Sequence, residues 1–331
     1  MQRQTVLHLL EVARGQNGSP AVHTAAEDAH AAALAYGDHE LLLEATILLA
    51  EGLFGRSEYS RAEACYRQAL LLCRAASDRR NESHCLFRLA IIDRLAGRLS
   101  QAIDNATQAV AAARTLGARL LEADILNELG NLQSDYARSR AYYEQALTIR
   151  RSLDDRPGLS RSLNNLGLTY WALGMYGKAR ECLEDAVRIG RAIDSESSLA
   201  YCLESLGRVY LALGAYDDAR AVLDEGRAIA LRIGDRGAAI PYWLTLGRVE
   251  MALGNLALAR DLIAYACRLL RALAVPGELA TALAWLGQCC LEHGDWSDAD
   301  RYTHEALEQL QALDNTNTEY PAQEVWWLRY Q

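Results

Sequence analysis

Ser162-Leu163-Asn164-Asn165-Leu166-Gly167-Leu168-Thr169-Tyr170-Trp171-Ala172-Leu173-Gly174 decides the reading of this chain. Leu163, Leu166, Tyr170 and Leu173 recur at helical spacing, which predicts an amphipathic helix. Gly174 supplies a residue able to adopt the left-handed stop after the last turn. Met175-Tyr176-Gly177 reads as a bend, and Lys178 to Ile189 as a return helix. The apolar face of that helix carries Ala179, Cys182, Leu183, Ala186 and Val187, with charges opposite. Two antiparallel helices on a short turn approach closely only where side chains are small, and Gly167, Ala179 and Ala186 provide those places.

Outward from this hairpin the pattern repeats. The position of Gly167 is matched by Ala50, Ala90, Gly130, Gly207, Gly247 and Gly287, at intervals of 40 residues with one of 37. A second series follows twelve residues behind (Ala62, Ala102, Ala179, Ala219, Ala259, Ala299). A third follows nineteen behind (Ala69, Ala109, Ala186, Gly226, Ala266, Ala306). Self-similarity of this length is the mark of a stacked-repeat solenoid. One hairpin cannot cover its own apolar flank, so the next covers it and the stack propagates.

Composition narrows the function. The 331 residues carry a net charge of −9, and arginines alternate with Glu and Asp rather than forming a cationic stripe. That argues against nucleic acid as a partner. Lys178 is the only lysine among the 34 basic residues. No charge-free apolar run is long enough to span a bilayer, and the N-terminal residues lack a secretory core, so the expectation is a cytoplasmic protein with no membrane partner. The eight cysteines show no metal-ligand spacing and read as reduced, small apolar residues. The seven histidines do not pair for a metal, and His304-Glu305 lacks the second histidine of a zinc-protease helix. Gly174 to Ala179 has neither the spacing nor the hydroxyl residue of a phosphate loop. No cofactor and no enzymatic activity are expected; a solenoid offers a long surface for binding.

Leu166-Gly167, Tyr170, Gly174, Tyr176, Ala179 and Ala186 sit at the spacings of the tetratricopeptide repeat, as do Leu206-Gly207, Tyr210, Gly214, Tyr216 and Ala219. Leu286-Gly287, Gly294, Trp296, Ala299 and Ala306 repeat the match. The chain therefore resembles that family. Its 40-residue unit is similar to the repeats of kinesin light chains, of bacterial peptide-pheromone receptors and of MalT-like sensor regions in bacterial signalling ATPases. The resemblance implies an all-α fold: a right-handed α-solenoid of about eight antiparallel helix pairs plus one unpaired C-terminal helix, forming a single domain over 1–331. A degenerate leading repeat covers 1–40, with Leu10, Asn17, Val22 and Ala29 in register. Full repeats one to seven follow at about 41–80, 81–120, 121–157, 158–197, 198–237, 238–277 and 278–317. A partial terminal helix closes at 322–331.

Two irregularities stand out. Repeat three lacks three residues between Gly130 and Tyr136, nearly one helical turn. This reads either as a neutral deletion absorbed at a loop or as a hinge near 130–140. The last helix carries Trp326 and Trp327, an apolar patch that needs cover. Either it caps the stack, associates with a second copy, or the natural chain continues; continuation, as the interaction region of a larger bacterial regulator, is the expectation.

The resemblance also implies where a ligand sits. In this family the first helix of each pair lines the concave surface. Its exposed positions lie six and three residues before the small residue, then one and four after. In repeats two and three these are His84, Phe87, Ile91, Arg94, Asp124, Asn127, Asn131 and Ser134. In repeats four to six they are Arg161, Asn164, Leu168, Trp171, Tyr201, Glu204, Arg208, Leu211, Pro241, Leu244, Arg248 and Met251. From these, the ligand-binding set is Arg94, Asn127, Asn131, Arg161, Asn164, Trp171, Tyr201, Glu204, Arg208 and Arg248. Asn127 and Asn164 share a position where related repeats ladder asparagines along peptide backbone, an amide being both donor and acceptor. Both are expected to face solvent. Arg161, Arg208 and Arg248 can hold carboxylates, and Trp171 and Tyr201 can offer flat apolar contact. The expected partner is a protein or extended peptide. A metabolite or sugar sensor and a self-association module are the alternatives.

Overall fold

A computed structural model describes residues 3–15, 20–193, 195–234 and 237–311. Asn17 and the terminal segment with Trp326 and Trp327 lie outside the described residues. The described residues form sixteen α-helices in two compact units, which divide after Asp155.

The first unit contains α1 (Arg3–Ala13), α2 (Pro20–Tyr36), α3 (His39–Gly55), α4 (Tyr59–Ala76), α5 (Arg79–Leu95), α6 (Leu99–Thr115), α7 (Arg119–Asn131) and α8 (Tyr136–Ser152). Each helix packs on the next, and the first helices of pairs also touch one another, α1 with α3 and α5 with α7. Asp38 caps α3 by accepting the backbone N–H of Glu40 at 3.0 Å, and Asp135 caps α8 through Ala137 at 2.9 Å. Such caps satisfy N–H groups that lack intrahelical partners. The short third repeat is explained by α7: the deletion removes its final turn, and Asp135 starts the return helix directly.

The second unit contains α9 (Arg156–Ala172), α10 (Tyr176–Ala192), α11 (Glu196–Ala212), α12 (Tyr216–Ile233), α13 (Ile240–Ala252), α14 (Leu256–Leu273), α15 (Pro276–His293) and α16 (Trp296–Gln311). Consecutive helices pair as before, and α11 also touches α9 and α13. Gly174 takes φ +70°, the Gly174 N–H donates to Trp171 O at 2.9 Å, and the Met175 N–H donates to Tyr170 O at 2.8 Å. That is the expected glycine stop. The bend is tighter than the sequence suggested: α10 begins at Tyr176 rather than Lys178, because the stop occupies only Gly174 and Met175.

The repeated small residues are close-approach points. A Cβ on Gly167 would stand 2.6 Å from Leu183 Cγ, and one on Gly130 would stand 2.5 Å from Tyr143 Cε1. Gly207 and Gly247 face Leu223 and Ile263 in the same way. The return helix thus drives a bulky side chain against the bare backbone of the first helix.

Arginines pair mostly within the scaffold. Arg74 and Arg79 both reach Glu82, and Arg114 and Arg119 repeat the arrangement on Glu122. Arg191 pairs with Glu225, Arg232 with Glu196 and Arg271 with Glu305. The alternating charges therefore form ties both within and between helices. All eight cysteines are free thiols, six of them buried. Among the described residues no helix is long and apolar enough to cross a membrane.

Candidate functional site

The expected inner-face positions divide between the two units. In the first, Glu51 of α3 organises the surface. Its Oε1 accepts from Tyr66 Oη at 2.6 Å and Arg88 Nε at 2.9 Å, and lies 2.8 Å from His84 Nε2. Its Oε2 accepts from Arg88 Nη2 at 2.6 Å. Burial alone would raise the Glu51 pKa, but the bond from His84, the Arg88 charge and the bond from Tyr66 hold it down, at about 2. The Arg88 guanidinium also lies 4.9 Å from the Phe54 ring centre.

Further along, Arg94 Nε donates to Glu128 Oε1 at 2.6 Å and Asn131 Nδ2 donates to Glu128 Oε2 at 3.0 Å. Tyr143 Oη donates to Asn131 Oδ1 at 2.7 Å. Arg94 and Asn131 thus neutralise and satisfy Glu128, which is buried. Their first role is internal to the scaffold.

The asparagine ladder requires correction. Asn127 is only 6 % exposed and Asn164 only 1 %, so neither faces solvent. Successive first helices touch directly, α5 with α7 and α9 with α11, which puts the position three residues before the small residue into the seam between them. Among the described residues neither amide atom of Asn164 finds a hydrogen-bond partner. Arg161 is exposed on the same helix.

In the second unit the structure brings Trp171, Tyr201, Glu204 and Arg208 together. The Arg208 guanidinium lies 4.6 Å from the Trp171 ring centre, so it already covers the flat face expected to meet ligand. Arg248 is also stacked, at 4.4 Å from the Trp285 ring centre, but on the repeat that follows rather than the one before. Both arginines are therefore stacked, not projecting as free carboxylate clamps. Arg208 Nη1 stands 4.0 Å from Glu204 Oε2, and both side chains are largely buried. Thr245 Oγ1 donates to Glu204 Oε1 at 3.4 Å. Tyr201 remains 63 % exposed.

Tyr201, Glu204 and Arg208 line a cavity of about 290 Å³. Its apolar walls include Leu168 of α9, Ile233 of α12, and Pro241 and Tyr242 of α13. It opens because α13 starts at Ile240, one turn later in the repeat than α11 and α15, leaving Ala238 on a turn beside it. Pro241 sits in the first turn of α13, where its missing N–H costs nothing. Tyr242 is 2 % exposed and its hydroxyl donates to Ala200 O. Burial, and then the Glu204 charge, push its phenol pKa up. A Cβ on Gly226 would lie 2.7 Å from Tyr242 Oη and closer still to its ring.

The sequence reading missed Glu51, Glu128 and Tyr242. Glu51 follows Ala50 directly, so the inner-face rule extended to repeat one would have found it. Tyr242 stands where neighbouring repeats place Cys202 and Ala282, opposite the one glycine in a series of alanines.

None of the curated proteins matches the chain in sequence. Among solved structures, the apo quorum sensor NprR from B. thuringiensis superposes with a TM-score of 0.74 at 14% identity, covering 93% of this chain and 86% of that one. A Rap conjugation gene regulator of the plasmid pLS20, in complex with a Phr peptide, gives 0.63 at 14% identity, covering 85% and 78%. Aspartyl phosphate phosphatase F from Bacillus subtilis gives 0.68 at 14% identity, covering 97% and 87%. At such identities the likeness is one of fold. Tetratricopeptide repeat models match residues 41–115, 121–192 and 199–233, more than half of the sequence. With paired helices, glycine stops and close-approach residues recurring at the same places, the chain belongs to the tetratricopeptide repeat family.

Proposed function

We propose that this protein is a non-enzymatic binding scaffold that takes an extended peptide, or an extended segment of a protein partner, on the faces of its first helices. The observation that carries this reading is the cavity beside Tyr201, Glu204 and Arg208. It combines apolar walls with a few convergent polar groups, the usual make-up of a ligand site, and its volume is near the lower end for one. The exposed Tyr201 stands at it on α11, and Arg161 is exposed on α9, the helix that supplies Leu168 to its wall. The likeness in fold to a regulator solved with a peptide supports the same reading. The phosphatase of similar fold marks the competing one. Here the acid and base of the cavity neutralise each other, and Arg208 is stacked on Trp171, an arrangement suited to holding a ligand. A role as the sensing region of a larger bacterial regulator is part of this proposal.

The test is selection of a randomised linear hexapeptide library on the immobilised protein, followed by fluorescence anisotropy with the enriched peptides. Tyr201→Ala and Arg208→Gln should each weaken binding about tenfold or more, while Arg188→Ala on α10 should not. Enriched peptides that bind both cavity variants as tightly as the natural protein would refute the site.

A further inference from the structure

The cavity of the second unit also carries information about what enters it. Two of its hydroxyls are spent on the scaffold: Tyr242 Oη donates to Ala200 O, and Ser205 Oγ donates to Tyr201 O at 3.2 Å. The charged groups of its lining are the Glu204 carboxylate and the Arg208 guanidinium, 4.0 Å apart. A cationic ligand drawn to Glu204 would meet Arg208, and an anionic one drawn to Arg208 would meet Glu204. Like-charge approach in a partly desolvated site is unfavourable, so each sign excludes its own kind. Leu168, Ile233, Pro241 and the Tyr242 ring favour an apolar body, and the exposed Tyr201 ring at the mouth can stack on a flat one. A carboxylate accepts several hydrogen bonds at once on its two oxygens, and Glu204, which accepts from Thr245, presents such a group in the cavity lining.

We infer that this cavity is an anchor pocket for one uncharged aromatic side chain that bears a hydrogen-bond donor, a phenol or an indole, with the ring against Pro241 and Tyr242 and the donor on Glu204. The inference rests on the peptide-binding reading above and specifies it: the ligand carries a tyrosine or tryptophan at the position that meets α11 and α13. Three departures from the repeat pattern meet at the pocket: Gly226 at the end of repeat five, and Pro241 and Tyr242 at the start of repeat six.

Ligand-observed NMR on the full chain tests it with small probes: p-cresol, 3-methylindole, toluene, n-butylamine and propionate. The two donors should bind about tenfold more tightly than toluene, as a hydrogen bond to a charged acceptor gives. The butylammonium and propionate ions should not compete with them. Ala238→Trp, a change at an exposed turn residue, should abolish p-cresol binding, and Glu204→Gln should reduce the advantage over toluene. Failure of p-cresol and 3-methylindole to bind, binding unaffected by Ala238→Trp, or equal binding of the charged probes would overturn the inference. The peptide selection is read separately. Enriched peptides that lack an aromatic residue sink the anchor pocket alone, and probes that bind while no peptide is enriched sink the peptide reading.

Discussion

Replacing Gly226 by alanine should destabilise the second unit, although alanine is the better helix former. In an exposed helix the exchange stabilises by about 1 kcal/mol. At this position the new Cβ would lie 2.7 Å from Tyr242 Oη and closer to the ring. Tyr242 is 2 % exposed and its hydroxyl is tied to Ala200 O, so giving way towards the cavity would cost that buried hydrogen bond. Overpacking of this kind costs about 1–3 kcal/mol, which outweighs the propensity gain. The sign should reverse when Tyr242 is first changed to cysteine, the residue found at the matching position 202. Tyr242→Cys itself should cost about 3 kcal/mol as a large-to-small change, but adding Gly226→Ala should then restore about 1 kcal/mol. The coupling between the two sites is thus the overpacking cost itself, about 1–3 kcal/mol. Urea unfolding followed by tryptophan fluorescence leaves the first unit silent, because no tryptophan occurs before Asp155. If Gly226→Ala has the same effect in both backgrounds, the close approach is not what keeps this position bare.

Arg150, 1 % exposed, donates to Asp124 at 2.6 Å and to Asp155; Arg150→Ala should cost about 3–5 kcal/mol in the first unit, read from far-UV circular dichroism during urea unfolding. The Glu51 pKa falls from 4.5 unfolded to about 2 folded, so its stabilisation is full above pH ~4.5 and is lost as pH falls towards ~2. Glu51→Gln should flatten the pH dependence of stability across that window, and an unchanged slope would show that another carboxylate dominates it. Asn164→Ala should leave stability within about 1 kcal/mol, since its buried amide makes no hydrogen bond among the described residues; a loss beyond about 2 kcal/mol in the fluorescence-detected unfolding would contradict that.

The fold was legible because close packing leaves its mark on the sequence at fixed intervals. Gly167, Gly207 and Gly247 are bare because Leu183, Leu223 and Ile263 press on them, and both members of each pair recur with the period. The cavity was half legible. Tyr201, Glu204 and Arg208 were placed on one face by counting from Gly207. Their neighbour Tyr242 was not, because its position is ordinary core in other repeats, as at Cys202 and Ala282, and borders the cavity where α13 loses its first turn. The asparagines were misjudged for a related reason. Counting residues gives the direction a side chain leaves its helix, but not how closely the next helix stands, and at Asn127 and Asn164 that distance decides exposure.

The late start of α13 has a consequence for how such a protein diversifies. A shortened helix in one hairpin disturbs only the hairpins that flank it, because stability in a stacked array is summed from neighbours. Selectivity can therefore be written into a single rung, by a proline, a bulky ring and a bare backbone opposite it, while the remaining rungs keep the ladder upright. Related arrays could acquire new ligands by moving that three-residue device to another rung, with no redesign of the rest.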